Sequence, residues 1–571
     1  MNINVTLDFA KPNEKYVHVR YDVKLPESLA GRDPIFTMPS WTPGSYLVRD
    51  FAQHVEAFQA FDVDGQSLPF TKISKSQWQV HRGDAGKIHL EYKVYANDLS
   101  VRAVYADHEF AFANPPAIFF YPEGFLNEPV TLKIKLPRGW QLALAKKENK
   151  GTYHFDNFDE LFDAPLLASG EMDLRKFKVR DTGYRLAVTG PHRVELERVV
   201  KDLQKVIAKQ ITIFGGNPCE DYLFQLLFIK AGYGGLEHSH SSSNIFDGLS
   251  LADPKRYPIL IALLAHEHFH LWNVKRIRPR ALGPFDYTRE NYTRELWIAE
   301  GITSYYDDHT IYRAGVYDRE SYLDVLSDNI EKLEAGKGAK LNSLSDASFD
   351  AWIRFYRPNE NSQNTSVSYY LKGGLVMMLL DFEIIKKSKG RHNLDDLMRC
   401  LWLDYKKRPE LGITREEFFK HAEALTGSSL SQFVADHIDG TAVINWAKEF
   451  APFGIDIKDT KKEDNYYLGV ASKESGGKLL IDKIVEDSPA FTSVLQAGDE
   501  ILAVNGLRTE TSKQLGEALN KGEIEVIFAR RGKVGSTKVA PIKRVPFKKK
   551  LGIKPKLTPA EKKYLAIFLR Q

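Results

Sequence analysis

Cysteine is almost missing from this chain: there are two in 571 residues, Cys219 and Cys400. That excludes a disulfide framework and any cysteine-rich metal site, and it suits a reducing compartment. An excess of either charge is also missing. Lys plus Arg number 79 against 75 Asp plus Glu, a net +4, so the chain lacks the basic footprint of a nucleic-acid binder. There is no long apolar run. The stretch Pro258 to Ala265 is among the longest and is far short of the roughly 20 residues a bilayer requires. The opening MNINVTLDFAKPNEK has no basic segment followed by an apolar one and does not read as a signal peptide. The expectation is a protein without a membrane span, cytoplasmic, or periplasmic had a leader been removed. Internal repeats and low-complexity tracts are absent as well.

What is present is ordinary for a folded chain, 43% hydrophobic and 27% charged residues. At about 150 residues per domain the length predicts three or four domains. From 1 to 180 the sequence alternates apolar and polar residues in short runs, such as INVTLDF, YVHVRYDVKL, KIHLEYKVYA and VTLKIKL, separated by turn residues. This predicts an N-terminal antiparallel β-sandwich or saddle. From 181 to 455 the period becomes helical after one apolar strand, Tyr222 to Ile229. Helices are expected at Val194 to Ile207, Pro258 to Val274, Arg294 to Tyr312 and Ser366 to Lys387, and Pro258 fits a helix start. From 456 to 546 β-type segments return around one short helix. A basic tail, 547–571, closes the chain with a helix after Pro559. The fold class predicted is multidomain α+β.

The chemistry concentrates at His266-Glu267-His268-Phe269-His270, an HExxH pattern. Residues four apart on a helix nearly eclipse, about 6 Å along the axis, so His266 and His270 can reach one ion from one face. Glu267 then lies beside the ion, placed to take a proton from a water there, while His268 points elsewhere. The apolar run before the motif embeds the helix in a core, where two histidines and a glutamate are costly without partners. A catalytic zinc needs a third protein ligand and one open position. Glu300 is the best candidate, the one acid in the apolar stretch LWIAEGITSYY. Glu290 and Glu295, in a polar segment, and His309, read as an exposed helix histidine, are the alternatives.

HExxH followed by W-x-x-E-G resembles the gluzincin zinc peptidases, whose third ligand is a glutamate on the next helix. The strings HEHFHLWNVKRIRP and LWIAEGITSYY, with PSWTPGSYLVRDF near the N-terminus, resemble more specifically the glycyl aminopeptidase family, across nearly the whole chain. The connection between His270 and Glu300 is longer than in the aminopeptidase N family. The resemblance implies a thermolysin-like, mainly helical catalytic domain, a Zn2+ cofactor, and peptides with a free N-terminus as substrates. Gly234-Gly235-Leu236-Glu237-His238 resembles the G-x-M-E-N motif, whose strand lies along the substrate and whose Glu holds the terminal amine. Tyr370, in Tyr370-Leu371-Lys372-Gly373, resembles the tyrosine that hydrogen-bonds the oxyanion. Its neighbour Tyr369 would sit about 100° away on a helix. Leu468-Gly469-Val470 and GDEILAVNG resemble a PDZ domain, a C-terminal β-sandwich or barrel in which Leu468, Gly469 and Val470 form the carboxylate loop for a peptide ligand. The expected activity is release of N-terminal glycine, or alanine and other small residues. The alternatives are a zinc endopeptidase and a catalytically silent PDZ scaffold.

Overall fold

The computed structural model describes residues 1–461, 465–544 and 547–570. It is a multidomain α+β chain with an N-terminal β region, a helical centre and a C-terminal β region. It divides into two compact units. The first comprises Met1–Thr293, Ile302–Tyr317 and Leu394–Leu425, and the second Arg294–Gly301, Asp318–Asn393 and Thr426 onward.

The first unit begins with a seven-stranded sheet whose centre is Asn2–Asp8, Tyr16–Lys24 and Lys87–Tyr95. Alternation sets the faces: Ile3, Val5 and Leu7 are buried while Asn2 and Asn4 face out. The expectation of an antiparallel domain holds for most pairs and fails for one. Asn2–Asp8 runs parallel to Val130–Lys135, with Ile3 opposite Val130. The intervening hundred-odd residues supply the long connection that a parallel pair needs, so the sheet is mixed.

The other principal sheet has five strands in the order Asp173–Val179, Thr182–Thr189, Asp221–Phe228, Ser241–Phe246, Tyr233–Glu237. Its middle pairs are parallel, with the helix Leu196–Phe214 as the crossover. Tyr222 through Phe228 are all buried, as expected for a strand covered on both faces. The crossover helix buries Leu196, Val199, Leu203, Val206, Ile207 and Ile211 along one side. It stops at Gly215, whose φ of 77° suits a residue without Cβ. Tyr233–Glu237 is the last strand of the order and lies antiparallel to Ser241–Phe246, which leaves its outer edge for other groups.

The second unit contains the helices Arg319–Ala335 and Leu371–Lys387 and a C-terminal sheet. That sheet joins Val470–Ser475, Lys478–Ile484, Glu500–Val504, Ile524–Arg530 and Lys533–Val539 around a core of Leu479, Ile481, Ile501, Val504, Ile524 and Val526. The expected short helix is Ser512–Ala518, started by a capping box from Thr511 and Gln514. The boundary expected at 546 falls on residues outside the description.

The basic tail is built into the unit, and its closing helix is Pro559–Leu569. Phe547–Ile553 pairs antiparallel with Ile455–Lys461, and Leu551, Phe568 and Leu569 are buried. Its lysines meet acids on the helix Arg319–Ala335: Lys548 reaches Asp328 at 3.3 Å and Lys549 reaches Glu334 at 3.3 Å. Arg570 closes the structure on Asp381 at 2.9 Å, with the two side chains 6% and 0% exposed. Removing one partner strands a buried charge, so Asp381→Ala is expected to cost about 3–5 kcal/mol, whereas replacing both by leucine should be near neutral. Denaturant midpoints of the two variants measure this.

Candidate metal centre

The motif helix spans Tyr257–Phe269 and ends five residues before the expected Val274. The HExxH spacing survives the early stop. His270 keeps helical angles (φ −59°, ψ −17°), and its N–H still bonds the carbonyl of His266 at 3.2 Å. The chain then turns so that the Asn273 carbonyl accepts from His270 Nδ1 at 2.7 Å. His266 Nδ1 lies 2.9 Å from Asp307 Oδ2. With both Nδ1 atoms hydrogen-bonded, Nε2 of each imidazole would be the atom to meet a metal, the usual arrangement for metal-bound histidine. His268 faces the other way, as its spacing requires. Its Nδ1 is 2.6 Å from Gln210 Oε1, its ring packs on Phe224, and burial pushes its pKa down to about 3.

Glu300 sits in a π-helical turn, Trp297–Gly301, that runs straight into the helix Ile302–Arg313. Such turns place one extra residue in the spiral and often mark functional positions. Thr303, one turn on, accepts from Asn273 Nδ2 at 3.1 Å and lies 3.4 Å from His270 Nδ1. Asp307, two turns on, is the carboxylate on His266. His266, His270 and Glu300 each bring one ligand atom within 4.8 Å of the other two. Glu237, Glu267 and His270 form a second such group. Among the described residues neither Glu290, Glu295 nor His309 joins a group of this kind. His309 differs from its sequence reading in another way: it is buried, packed beside Tyr305 with ring centroids 5.2 Å apart.

Two glycines hold the acids in place. A Cβ on Gly235 would stand 2.1 Å from Glu267 Oε1, and one on Gly44 would stand 2.6 Å from Glu237 Oε1. The Gly234-Gly235 strand can therefore run against the Glu267 carboxylate, and the Pro43-Gly44 turn (φ +84° at Gly44) against that of Glu237. Glu237 and Glu267 are both buried, at 6% and 5% exposure. His238 turns to Asp163 instead, its Nδ1 3.1 Å from Oδ1. In the second unit Tyr370 is the N-cap of Leu371–Lys387, not a residue inside a helix begun at Ser366. Burial, then the Glu300 charge, pushes its phenol well above the ordinary 10. Gly301 and Gly373 pack backbone to backbone there, since a Cβ on Gly301 would lie 2.7 Å from the Gly373 Cα. In the C-terminal sheet Leu468 is buried, Gly469 has φ +88°, and Val470 opens the edge strand Val470–Ser475. The Leu468 and Gly469 carbonyls accept from Ala490 and Val485.

Sequence reasoning missed three residues. Asp307 follows Glu300 by seven, a helix-face spacing that could have pointed to it, though Asp307-Asp308 reads as solvated acid. Both others come from the N-terminal β region: Arg102, which donates to the Gly235 carbonyl at 2.9 Å, carries no local signal, and Gly44 lies in the string PSWTPGSYLVRDF without having been singled out. Asp307→Asn is expected to weaken metal affinity about 10–100-fold, as read by competition with a chelator.

The family described as "Peptidase M61 N-terminal domain" matches residues 4–170, and "M61 glycyl aminopeptidase" matches 259–376. An aminopeptidase N family protein from Idiomarina loihiensis superposes with TM-score 0.91 at 28% identity, over 99% of this chain and 100% of that one. An M1 zinc metallopeptidase from Deinococcus radiodurans, bound to Tyr-Ser-Ala, gives 0.47 at 14% identity over 78% and 94%. Yeast LTA4 hydrolase with bestatin gives 0.46 at 13% over 79% and 67%. No curated protein matches. The fold and the matched peptidase domain define a metallopeptidase. The chain carries the M61 N-terminal domain and the M61 glycyl aminopeptidase domain.

Proposed function

We propose that this protein is a zinc aminopeptidase that releases N-terminal glycine, or another small residue, from peptides. The observation that carries this is the convergence of His266, His270 and Glu300 beside a second group containing Glu237 and Glu267. Two imidazole nitrogens and one carboxylate are the donor set of a catalytic zinc with an open position, and the Nδ1 partners make Nε2 the donor atom of each histidine. When bound, the ion would polarise the scissile carbonyl and acidify water.

The remaining work falls to the chain. Glu267 takes the proton of the attacking water and hands it to the departing amine. Tyr370, neutral and donating, bonds the oxygen that becomes negative. Glu237 pairs with the free terminal ammonium, and the outer edge of Gly234-Gly235 guides the backbone of the peptide. The family description supports glycine as the preferred first residue. At the C-terminal sheet we propose a PDZ module over 456–546, where the Leu468-Gly469-Val470 loop and the edge strand it opens would take the C-terminus of a peptide.

The test is hydrolysis of a glycyl substrate against its N-acetylated form by zinc-loaded protein. The free amine is expected to react at least about 100-fold faster in kcat/KM, because a buried carboxylate without its ammonium costs about 3–5 kcal/mol. Equal rates would make the enzyme an endopeptidase. A protein that binds zinc and cleaves neither substrate would be a scaffold.

A further inference from the structure

Beside the strand Tyr233–Glu237, within the first unit, lies a cavity of about 350 Å³. It is lined by Thr42 and Pro43, which lead into the Gly44 turn, and by His238, which follows Glu237. None of His266, Glu267 and His270 lines it.

Its walls have an incomplete set of pairings. Four cationic side chains face three carboxylates. Lys146 pairs with Glu160, Lys275 with Asp163 at 2.7 Å, and Asp159 accepts from Tyr287. Arg276 donates to the carbonyls of Leu271 and Ser239. Arg278 is different. It lies over the Phe285 ring at 5.6 Å and flat against Gly283, and its Nε is buried with no hydrogen-bond partner among the described residues. Asp159 acts on it only as a nearby charge. One planar cationic fork is thus left for an incoming anion, and such a fork suits a carboxylate.

His238 supplies a second point. The ring is 2% exposed, and its Nε2 is buried without a partner among the described residues. Its Nδ1 faces an Asp163 carboxylate. Burial opposes the charge of that group, but Lys275 and His238 hold its pKa far below the usual range. A proton on Nδ1 meets that carboxylate, and in the neutral imidazole Nε2 is then an acceptor. An unpaired buried acceptor is costly and asks for a donor on whatever fills the cavity. Phe155, Phe162 and Val274 give the rest of the space an apolar wall.

We propose that this cavity binds a small carboxylate that carries its own hydrogen-bond donor, the chemistry of a free amino acid or hydroxy acid. The carboxylate sits on Arg278 and the donor on His238 Nε2. If the protein is an aminopeptidase, its product is such a molecule, and only that consequence rests on the function proposed above. The site itself is read by binding, not by turnover.

Calorimetric titration of the zinc-loaded full chain with glycine, glycolate and acetate tests it. Glycine or glycolate is expected to bind saturably and at least about 10-fold more tightly than acetate, which has no donor, as one hydrogen bond to a buried group is worth about 1–3 kcal/mol. The tighter of the two identifies the donor as ammonium or hydroxyl. Arg278→Gln should weaken binding at least about 10-fold, and Arg278→Lys, which keeps the charge and loses the fork, should weaken it as well. Glu237→Gln should leave the binding in place. Binding lost in the Glu237 variant and kept in both Arg278 variants would put the ligand in the peptidase cleft and overturn the proposal. So would acetate binding as well as glycine and glycolate, or no saturation by any of the three.

Discussion

Glu267→Gln is expected to keep the fold and the zinc while kcat falls by about 10²–10⁴-fold, the usual contribution of a positioned general base. The substitution keeps the volume and removes the proton acceptor. Volume matters here because the carboxylate is buried and lies where a Gly235 Cβ would come within 2.1 Å of it. A smaller residue would confound the loss of a base with the collapse of the strand onto the helix. The backbone is held independently, by the Tyr222 hydroxyl on the Glu267 carbonyl at 3.3 Å. The fall should therefore appear in kcat with KM little changed, with metal content near one ion per chain. A Glu267→Gln protein with full zinc and full activity would remove Glu267 from the chemistry and leave it a structural role.

The main site was legible in the sequence to the extent that helix geometry is. HExxH needs only a four-residue period, and that period held at His270 even though the helix ends at Phe269. Glu300 stood out as one acid in an apolar stretch, a contrast that survives without knowledge of the π-helical turn. Asp307 did not stand out, because a carboxylate on an exposed helix face and one facing a histidine look alike in composition. Gly44 and Arg102 reach the motif strand from the N-terminal β region, and long-range pairing of that kind leaves no local period to read. The burial of the tail was not legible: a basic composition does not show that Asp328 and Glu334 on a preceding helix pair with its lysines, or that Leu551 and Phe568 are buried. The parallel pairing of Asn2–Asp8 with Val130–Lys135 was equally out of reach, since alternation fixes the faces of a strand and not the direction of its neighbour.

Tyr370→Phe is expected to lower kcat by about 10²–10³-fold, or about 2.7–4 kcal/mol, the cost of one oxyanion donor. The ring is held by stacking. Its centroid lies 5.3 Å from that of Phe355 and 4.9 Å from that of Tyr369, contacts that phenylalanine keeps. The hydroxyl alone is lost. A tyrosine acts as a donor only while protonated, and burial with the Glu300 charge raises this phenol's pKa well above 10. Below that value the proton stays on, so the wild-type rate should show no alkaline limb from Tyr370 between pH 6 and about 10, the ordinary phenol value. The same profile with a lower plateau is expected for the phenylalanine variant. Tyr369→Phe is the control. That residue is fully buried against the same Phe355 ring, and its variant should stay within about 10-fold of wild type, since loss of a single neutral hydrogen bond costs about 0.5–1.5 kcal/mol. Equal losses in the two variants would mean that the stack, and not the Tyr370 hydroxyl, is what the reaction needs.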